Sequence, residues 1–275
     1  MKNRLIYILL TLAFLAGIGI MAYPSVSDWW NSFHQSRAIA SYTEAVTSLD
    51  TEEYERMLSA AQAYNEKLSS SGERFNPTEE ELAEYESLLD LSDTGMMGFI
   101  DIPVISCYLP LYHGTNEAVL QTAVGHIEWS SLPVGGEGSH CVLSGHRGLP
   151  SAKLFTDLDK LVVGDLFKLS VLDEILTYEV DQILIVEPED ISALQIVPGE
   201  DYCTLVTCTP YGINTHRLLV RGHRIATEEE AQVIRVTADA TQIDTIIVAP
   251  FVAIPMLLLL LVGLLVLTGR RKRRS

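Results

Sequence analysis

The 275-residue sequence predicts a mainly β domain, a barrel or sandwich, preceded by a helical segment and flanked by two membrane helices. Three observations support this fold class. From Gly98 onward, short runs rich in Val, Ile, Leu and Tyr are separated by Pro and Gly. Before them, apolar residues recur at three- and four-residue steps, as on one face of a helix. Near each end lies an uncharged run of about 20 residues, long enough to cross a bilayer.

Both uncharged runs adjoin basic tails. Residues 5–23 follow the tail 1–4, and residues 246–267 precede the strongly basic tail 268–275. The positive-inside rule therefore predicts a two-pass cell-membrane protein with both termini in the cytoplasm and the intervening part outside. A cleaved signal peptide is the alternative for the first run, although its apolar stretch exceeds the usual length of roughly 7 to 15 residues.

Charge and cysteine content exclude several function classes. All 36 Asp and Glu lie between the two apolar runs, whereas 7 of the 19 Lys and Arg lie in the tails. The outer part thus carries 12 basic and 36 acidic residues, a net charge of −24 that repels nucleic acid. Four cysteines without a CxxC pair match neither a disulfide-rich scaffold nor a zinc site, and the acids lack EF-hand spacing, so we expect no metal or cofactor.

The segment 24–94 is predicted to be helical. Asp50 and Glu53 have the spacing of a capping box and precede apolar positions at helical steps; Thr78 and Glu81 repeat the pattern. This helical pair is predicted to be structural, either holding the next domain away from the membrane or packing on its flank.

Seven strands are expected after the helices, because each run is short and bounded by turn residues. They are Phe99–Ile102, Cys107–Tyr112, His140–Ser144, Leu166–Leu172, Leu176–Val186, Tyr202–Cys208 and Leu218–Ile225. Short helices are predicted at Glu117–Ala123, Ser151–Leu158 and Ile191–Leu194. Residues 227–245 read as a polar connector to the second membrane span.

The chemistry is expected around Cys208. This thiol ends an apolar strand, and a Pro/Gly/Asn loop leads to a second strand near Arg217. If the strands pair, the thiol and the guanidinium face one cleft. The other cysteines, Cys107, Cys141 and Cys203, are predicted to be buried as small apolar residues, although a Cys141–Cys203 bridge stays open. A cysteine nucleophile also needs a proton acceptor, and His146 lies upstream in a Gly-flanked loop.

These residues resemble the sortases. Thr204-Leu205-Val206-Thr207-Cys208 fits the family's TLxTC signature, Arg217 falls where the family carries its essential arginine, and His146 falls in its histidine loop. The loop after Cys208 looks most like that of the class C, pilus-assembly sortases. The resemblance covers roughly residues 95–226 and implies an eight-stranded β-barrel. Class C enzymes commonly carry an Asp-Pro-aromatic lid motif; Phe75-Asn76-Pro77 is only an approximation, so an ordinary interhelix loop is favoured at residues 72–77.

The resemblance also implies roles. Cys208 is expected to be the nucleophile, His146 the general acid/base, and Arg217 the donor that stabilises the oxyanion and holds the substrate, with Leu205 and Thr207 supporting the substrate site. The rival histidines are His216 and His126, and the rival arginine is Arg221.

By the same resemblance, the reaction is cleavage of an LPXTG-like sorting signal between Thr and Gly, followed by transfer to a lysine amine of another pilin. A sortase that attaches proteins to peptidoglycan is the first alternative. A catalytically silent membrane adhesin is the second. An L,D-transpeptidase is disfavoured because Ser139-His140-Cys141-Val142-Leu143 lacks the arginine of that family's motif.

Overall fold

A computed structural model describes residues 2–70, 75, 77–91 and 94–226. The helices are α1 (Lys2–Ser48), α2 (Thr51–Ser70), α3 (Glu79–Ser87) and α4 (Glu117–Leu120). The strands are β1 (Met96–Ile102), β2 (Cys107–His113), β3 (Val124–His126), β4 (Ser139–Ser144), β5 (Leu166–Val171), β6 (Glu174–Val186), β7 (Asp201–Thr209) and β8 (His216–Ile225). The predicted connector 227–245, membrane span 246–267 and tail 268–275 lie outside the described residues.

The eight strands close into one barrel in the order β1-β2-β3-β4-β7-β8-β6-β5. Two neighbouring pairs, β2 with β3 and β4 with β7, are parallel, and the remaining pairs are antiparallel. In a parallel pair, the two strands run in the same direction, so their carboxyl ends lie at the same edge of the sheet. The carboxyl ends of β4 and β7 therefore lie side by side, although they are distant in sequence.

Side chains alternate between the barrel interior and its outer face, as the period of two requires. On β7, Cys203 and Leu205 are buried in the main core, whereas Val206 belongs to a separate apolar cluster on the outer face. Cys208 shares the parity of Val206 and therefore lies on the outer face. Cys203 and Cys208 therefore point to opposite faces of β7.

The helical segment packs on the flank of the barrel. Tyr42 of α1 donates to the Met97 carbonyl at 2.7 Å and accepts from the Leu172 amide at 2.8 Å. Asn65 of α2 pairs with both backbone groups of Leu132, at 3.0 and 2.7 Å. These contacts join the helices from Trp30 onward to the barrel in one compact unit, so the predicted boundary near residue 94 does not separate two bodies.

Helix caps follow the predicted signals. The Asp50 carboxylate accepts from the Glu53 amide at 2.8 Å. Thr78 and Glu81 form a complete capping box at the start of α3. Both caps satisfy backbone N–H groups that a helix N-terminus leaves without partners.

The first predicted membrane run lies within α1. In the described part of the chain, this helix is long and apolar enough to cross a bilayer, and its apolar stretch is not buried by the protein. The portion up to Trp29 belongs to a second compact unit.

One of the three predicted short helices was wrong, and the other two are shorter than predicted. No helix forms over Ser151–Leu158; this segment consists of turns followed by a 3₁₀ turn at Leu158–Lys160. The helix predicted at Glu117–Ala123 ends at Leu120, and the one at Ile191–Leu194 is a 3₁₀ turn, Ser192–Leu194. The physical reason for the first error is tertiary. The Phe155 amide donates to the His146 carbonyl at 3.1 Å, which folds the segment back against the end of β4.

Candidate active site

Cys208 and Arg217 are direct cross-strand partners in the antiparallel pair β7–β8. Directly opposed residues project from the same face of a sheet, with Cβ atoms about 5 Å apart. The thiol is half-buried, unlike the other three, which are buried. The Nη1 of Arg217 donates to the carbonyls of His216 at 3.2 Å and Asn214 at 3.4 Å. A guanidinium has five N–H donors, so these bonds leave capacity for a ligand.

His146 lies just beyond the end of β4, the strand beside β7. The parallel register pairs Ser144 with Val206, and the Gly145 amide continues the ladder by donating to the Val206 carbonyl at 3.1 Å. His146 is the next residue, and its side chain is 30% exposed. The sheet order β4-β7-β8 thus places the segment that carries His146 beside the strand end that carries Cys208, with Arg217 on the strand after it.

Thr207 connects the two strands beneath this site. Its hydroxyl donates to the Gly145 carbonyl at 2.7 Å, and its side chain is buried. Leu205 is fully buried in the barrel core. Its contribution is therefore packing rather than contact with a substrate, which corrects the substrate-binding part of its predicted role.

Arg147 forms a second connection that the sequence reasoning missed. It donates to the Asp159 carboxylate at 2.5 Å and to the Thr209 hydroxyl at 3.4 Å, and its side chain is only 10% exposed. Arg147 follows His146, and Thr209 follows Cys208. One guanidinium therefore ties together the two segments that carry the imidazole and the thiol. Adjacency to His146 was the available signal, but the partners depend on the path of the loop after β4.

The ring of Tyr211 covers this loop. A Cβ placed on Gly148, whose φ is +78°, would lie 2.7 Å from the Tyr211 ring. That close approach and the left-handed backbone both require glycine at this position.

The rival residues have other partners. Arg221 makes a bidentate pair with Asp181, at 3.0 and 2.7 Å, which raises the pKa of its guanidinium, and it lies 4.1 Å from the Tyr202 ring centroid. His126 is fully buried, with its two ring nitrogens facing the Tyr85 hydroxyl at 2.9 Å and the Ser131 carbonyl at 2.8 Å. Both serve the structure of the barrel.

His216 is more exposed and lies 3.3 Å from the Glu187 carboxylate. Its neighbour on β8, Arg217, projects from the opposite face of the strand, as alternation requires. His216 therefore does not share the face on which Cys208 and Arg217 meet.

An apolar floor extends from Cys208 along the outer face. Its buried members are Val142, Leu194, Val206 and Leu219, and partly buried side chains, including Ile127, Trp129 and Val186, pack against them. His140 holds the segment around Gln195, which contributes Leu194 to this floor, against β7. Its ring nitrogens face the Gln195 carbonyl at 2.8 Å and the Thr204 hydroxyl at 2.7 Å.

Phe75 lies in the segment 72–77, for which a lid is the alternative to an ordinary interhelix loop. Its ring meets that of Trp129 edge-on, with centroids 5.0 Å apart. Residues 71–74 and 76 lie outside the described residues.

The three remaining cysteines are buried, as predicted. Burial raises the pKa of the Cys107 thiol to about 12 and that of Cys203 well above its usual value. Cys141 and Cys203 are in register across β4 and β7, and both are free thiols. Within the described ranges, no group of three His, Cys, Asp or Glu side chains converges as a metal site would need.

Comparison with known proteins identifies the family. A sortase-domain model matches residues 100–225. Sortase C1 from Streptococcus agalactiae is 55% identical, with 70% of this chain covering 100% of that chain at a TM-score of 0.69. Sortase C from Streptococcus pneumoniae is 46% identical, with 70% of this chain covering 97% of that chain at a TM-score of 0.62.

Sortase D of Bacillus subtilis (strain 168) is 31% identical over 131 residues, which are 46% of this chain and 63% of that protein, less than two thirds of its length. The agreement of the domain model, the barrel and structural matches over 70% of the chain shows that this chain belongs to the sortase family and groups with its class C members.

Proposed function

We propose that the chain is a membrane-anchored cysteine transpeptidase that cleaves an LPXTG-like sorting signal between Thr and Gly and joins it to a pilin lysine. The observation that carries this proposal is the pairing of Cys208 with Arg217 across β7 and β8, beside the end of β4 that leads into His146. The similar S. pneumoniae sortase C is described as having pilin substrate specificity, which supports the same substrate class here.

In the first step, the Cys208 sulfur, as thiolate, attacks the Thr carbonyl carbon. The carbonyl oxygen becomes an oxyanion, and Arg217 donates hydrogen bonds to it. Removing such a donor typically costs on the order of 10²–10³ in rate. His146 then gives a proton to the amide nitrogen of Gly, the C–N bond breaks, and the released amine leaves a thioester on Cys208.

In the second step, an amine attacks the thioester carbon. His146 accepts a proton from the attacking nitrogen, the C–S bond breaks, and the Cys208 thiol is restored. The apolar floor limits the access of water. Transfer to the amine therefore outcompetes hydrolysis, and the product is an isopeptide-linked polymer.

The membrane position suits this reaction. α1 would anchor the enzyme, and the sorting signal lies beside the membrane anchor of its own protein. Two partners confined to one surface meet more often than they would in solution, because anchoring raises their effective concentration. The second span at residues 246–267 stays a prediction from the sequence.

The test is a transfer assay with the full-length enzyme and a fluorescent LPXTG-like peptide. A pilin bearing the acceptor lysine competes with a cell-wall peptide amine, and products are separated by mass. We expect the pilin conjugate, with none for Cys208→Ala. Exclusive use of the cell-wall amine would establish the peptidoglycan alternative, and an inactive wild type that retains its fold would support the adhesin.

A further inference from the structure

A carboxylate lies beside His146. The Oε2 of Glu117 is 3.9 Å from the His146 Nε2. Glu117 begins α4, whose start is fixed because the Asn116 side chain accepts from the Val119 amide at 3.1 Å. Gln121 donates to the other carboxylate oxygen of Glu117. The Glu117 side chain is 73% exposed, so a ligand arriving from solvent can reach it.

The order of the strands separates the charges at this end of the barrel. α4 leads into β3, and the neighbours β3, β4, β7 and β8 follow in that order. At this end of the barrel, the elements that carry or adjoin Glu117, His146, Cys208 and Arg217 therefore follow one another in that order. Arg147 adds little positive charge on the His146 side, because Asp159 holds it at 2.5 Å. The thiol thus lies between an anionic side and a cationic side.

The two substrates of a transpeptidase need opposite sides of this cleft. The acyl group turns its carbonyl oxygen toward Arg217, and the attacking amine must come within reach of the His146 nitrogen. A lysine amine, with a pKa near 10.4, arrives as an ammonium ion at neutral pH. Arg217 repels this cation, whereas Glu117 attracts it.

We propose that Glu117 forms the acceptor subsite, where a primary ammonium ion binds beside His146 before attack. This inference rests on the proposed transpeptidase function and names how its second substrate is recognised. The bound ammonium passes one proton to His146, the amine nitrogen bonds to the thioester carbon, and the C–S bond breaks. Of the three ammonium protons, one remains on the new amide, one restores the Cys208 thiol, and one is released to solvent.

The experiment measures transfer from one fluorescent LPXTG-like donor to two acceptors, using the full-length enzyme. Nα-acetyl-lysine amide is cationic at neutral pH, whereas hydroxylamine is largely uncharged. We expect Glu117→Gln to lower kcat/KM for the lysine amide by roughly two- to fivefold, the range of exposed ion pairs. Glu117→Lys replaces attraction by repulsion and should lower it by roughly the square of that factor. Hydroxylamine transfer should not change.

Glu187 provides the matched control. It is 71% exposed and also lies beside a histidine, but that histidine, His216, does not share the face on which Cys208 and Arg217 meet. Glu187→Gln removes the same charge and should leave both acceptors unaffected. Raising the salt concentration should shrink the difference between wild type and Glu117→Gln, because screening weakens exposed charge pairs.

Three outcomes overturn the subsite. They are an equal loss with both acceptors, no loss with the lysine amide, and a wild type that accepts hydroxylamine but not the lysine amide. The thioester is followed separately by intact mass. If the wild type forms no acyl-enzyme at all, the proposed function itself fails; if the acyl-enzyme forms normally in every variant, the result bears on Glu117 alone.

Discussion

Cysteine and histidine side chains occur in two places around β4 and β7, and the two places differ in burial and in neighbouring charge. In the barrel interior, Cys141 of β4 stands opposite Cys203 of β7, and the buried His126 of β3 has hydrogen-bond partners at both ring nitrogens. At the carboxyl ends of β4 and β7, His146 and Cys208 are partly exposed, and Arg217 lies opposite Cys208.

This difference shows that access and neighbouring charge, more than residue type, decide what a thiol can do. In the interior, burial disfavours the reactive thiolate of Cys107 and Cys203 and keeps reagents away from all three buried thiols. At the end of β7, the thiol of Cys208 is partly exposed and a fixed cation, Arg217, lies opposite it. The following predictions test this contrast, from the largest expected effect to the smallest.

Cys208 should react with an alkylating reagent in the folded protein, whereas the three buried cysteines should not. We expect iodoacetamide to modify the folded protein once, at Cys208, and to modify all four cysteines after unfolding. With a pKa of about 12, Cys107 is a thiolate in only about one molecule in 10⁴ at pH 8, and burial also blocks the reagent. Peptide mass spectrometry identifies the site. Native labelling of Cys141 or Cys203 at the rate of Cys208 would contradict the contrast.

Substitution of Arg217 should remove activity without removing stability. We expect Arg217→Ala to lower kcat/KM by about 10²–10³ and Arg217→Lys to restore little, because an ammonium lacks the planar set of donors. Arg221→Ala is the control. It breaks the pair with Asp181 and should lower the free energy of unfolding by about 1–2 kcal/mol while sparing kcat/KM per folded molecule. Equal kinetic losses for both arginines would refute the distinction.

Arg147 should act on the site through its neighbours. We expect Arg147→Ala to lower kcat by about tenfold, because small displacements of positioned groups are costly, with KM little changed. It should also move the pH profile of Cys208 alkylation, which a purely structural role would not. Lys153→Ala, which breaks an ion pair with Asp157 in the same loop, should lower Tm and leave that profile in place.

Tyr85→Phe should affect only the interior. The Tyr85 hydroxyl lies 2.9 Å from the His126 Nδ1 and accepts from the Gly114 amide at 3.1 Å. Its loss leaves buried polar groups without partners, at a cost of about 1–3 kcal/mol. Thermal unfolding should show a Tm lower by several degrees, whereas kcat/KM per folded molecule should match that of the wild type. A kinetic defect would mean that the interior network does reach the active site.

Much of the barrel could be predicted from the sequence, because seven of its strands are apolar runs with clear turn signals. β3 was missed because Val124-Gly125-His126 is short and contains glycine. It exists because Gly125 lets β3 approach closely; a Cβ there would lie 2.3 Å from the Gly114 carbonyl oxygen. Such proximity depends on the assembled barrel, which no local pattern reports.

For the site, the motif around Cys208 led to the pairing of Cys208 with Arg217 that the structure forms. It did not lead to the contacts of Arg147, which join the segments around the site. The pairing of Arg147 with Asp159 depends on a loop that was predicted to be helical. In the structure that loop contains Leu154 at a φ of +40° and places the Phe155 ring against Gly145. Tertiary packing outweighs helix propensity in such short segments.

The parallel pairing of β4 with β7 has a consequence for the maturation of the enzyme. Parallel neighbours cannot be joined by a tight turn, and the residues between β4 and β7 form the β5–β6 hairpin, so β7 follows β4 only after a long stretch of chain. Arg217 comes later still, on the last strand. During synthesis from the N-terminus, the nucleophile therefore stays dormant until nearly the whole barrel has emerged, and a truncated chain would carry a thiol without the means to use it.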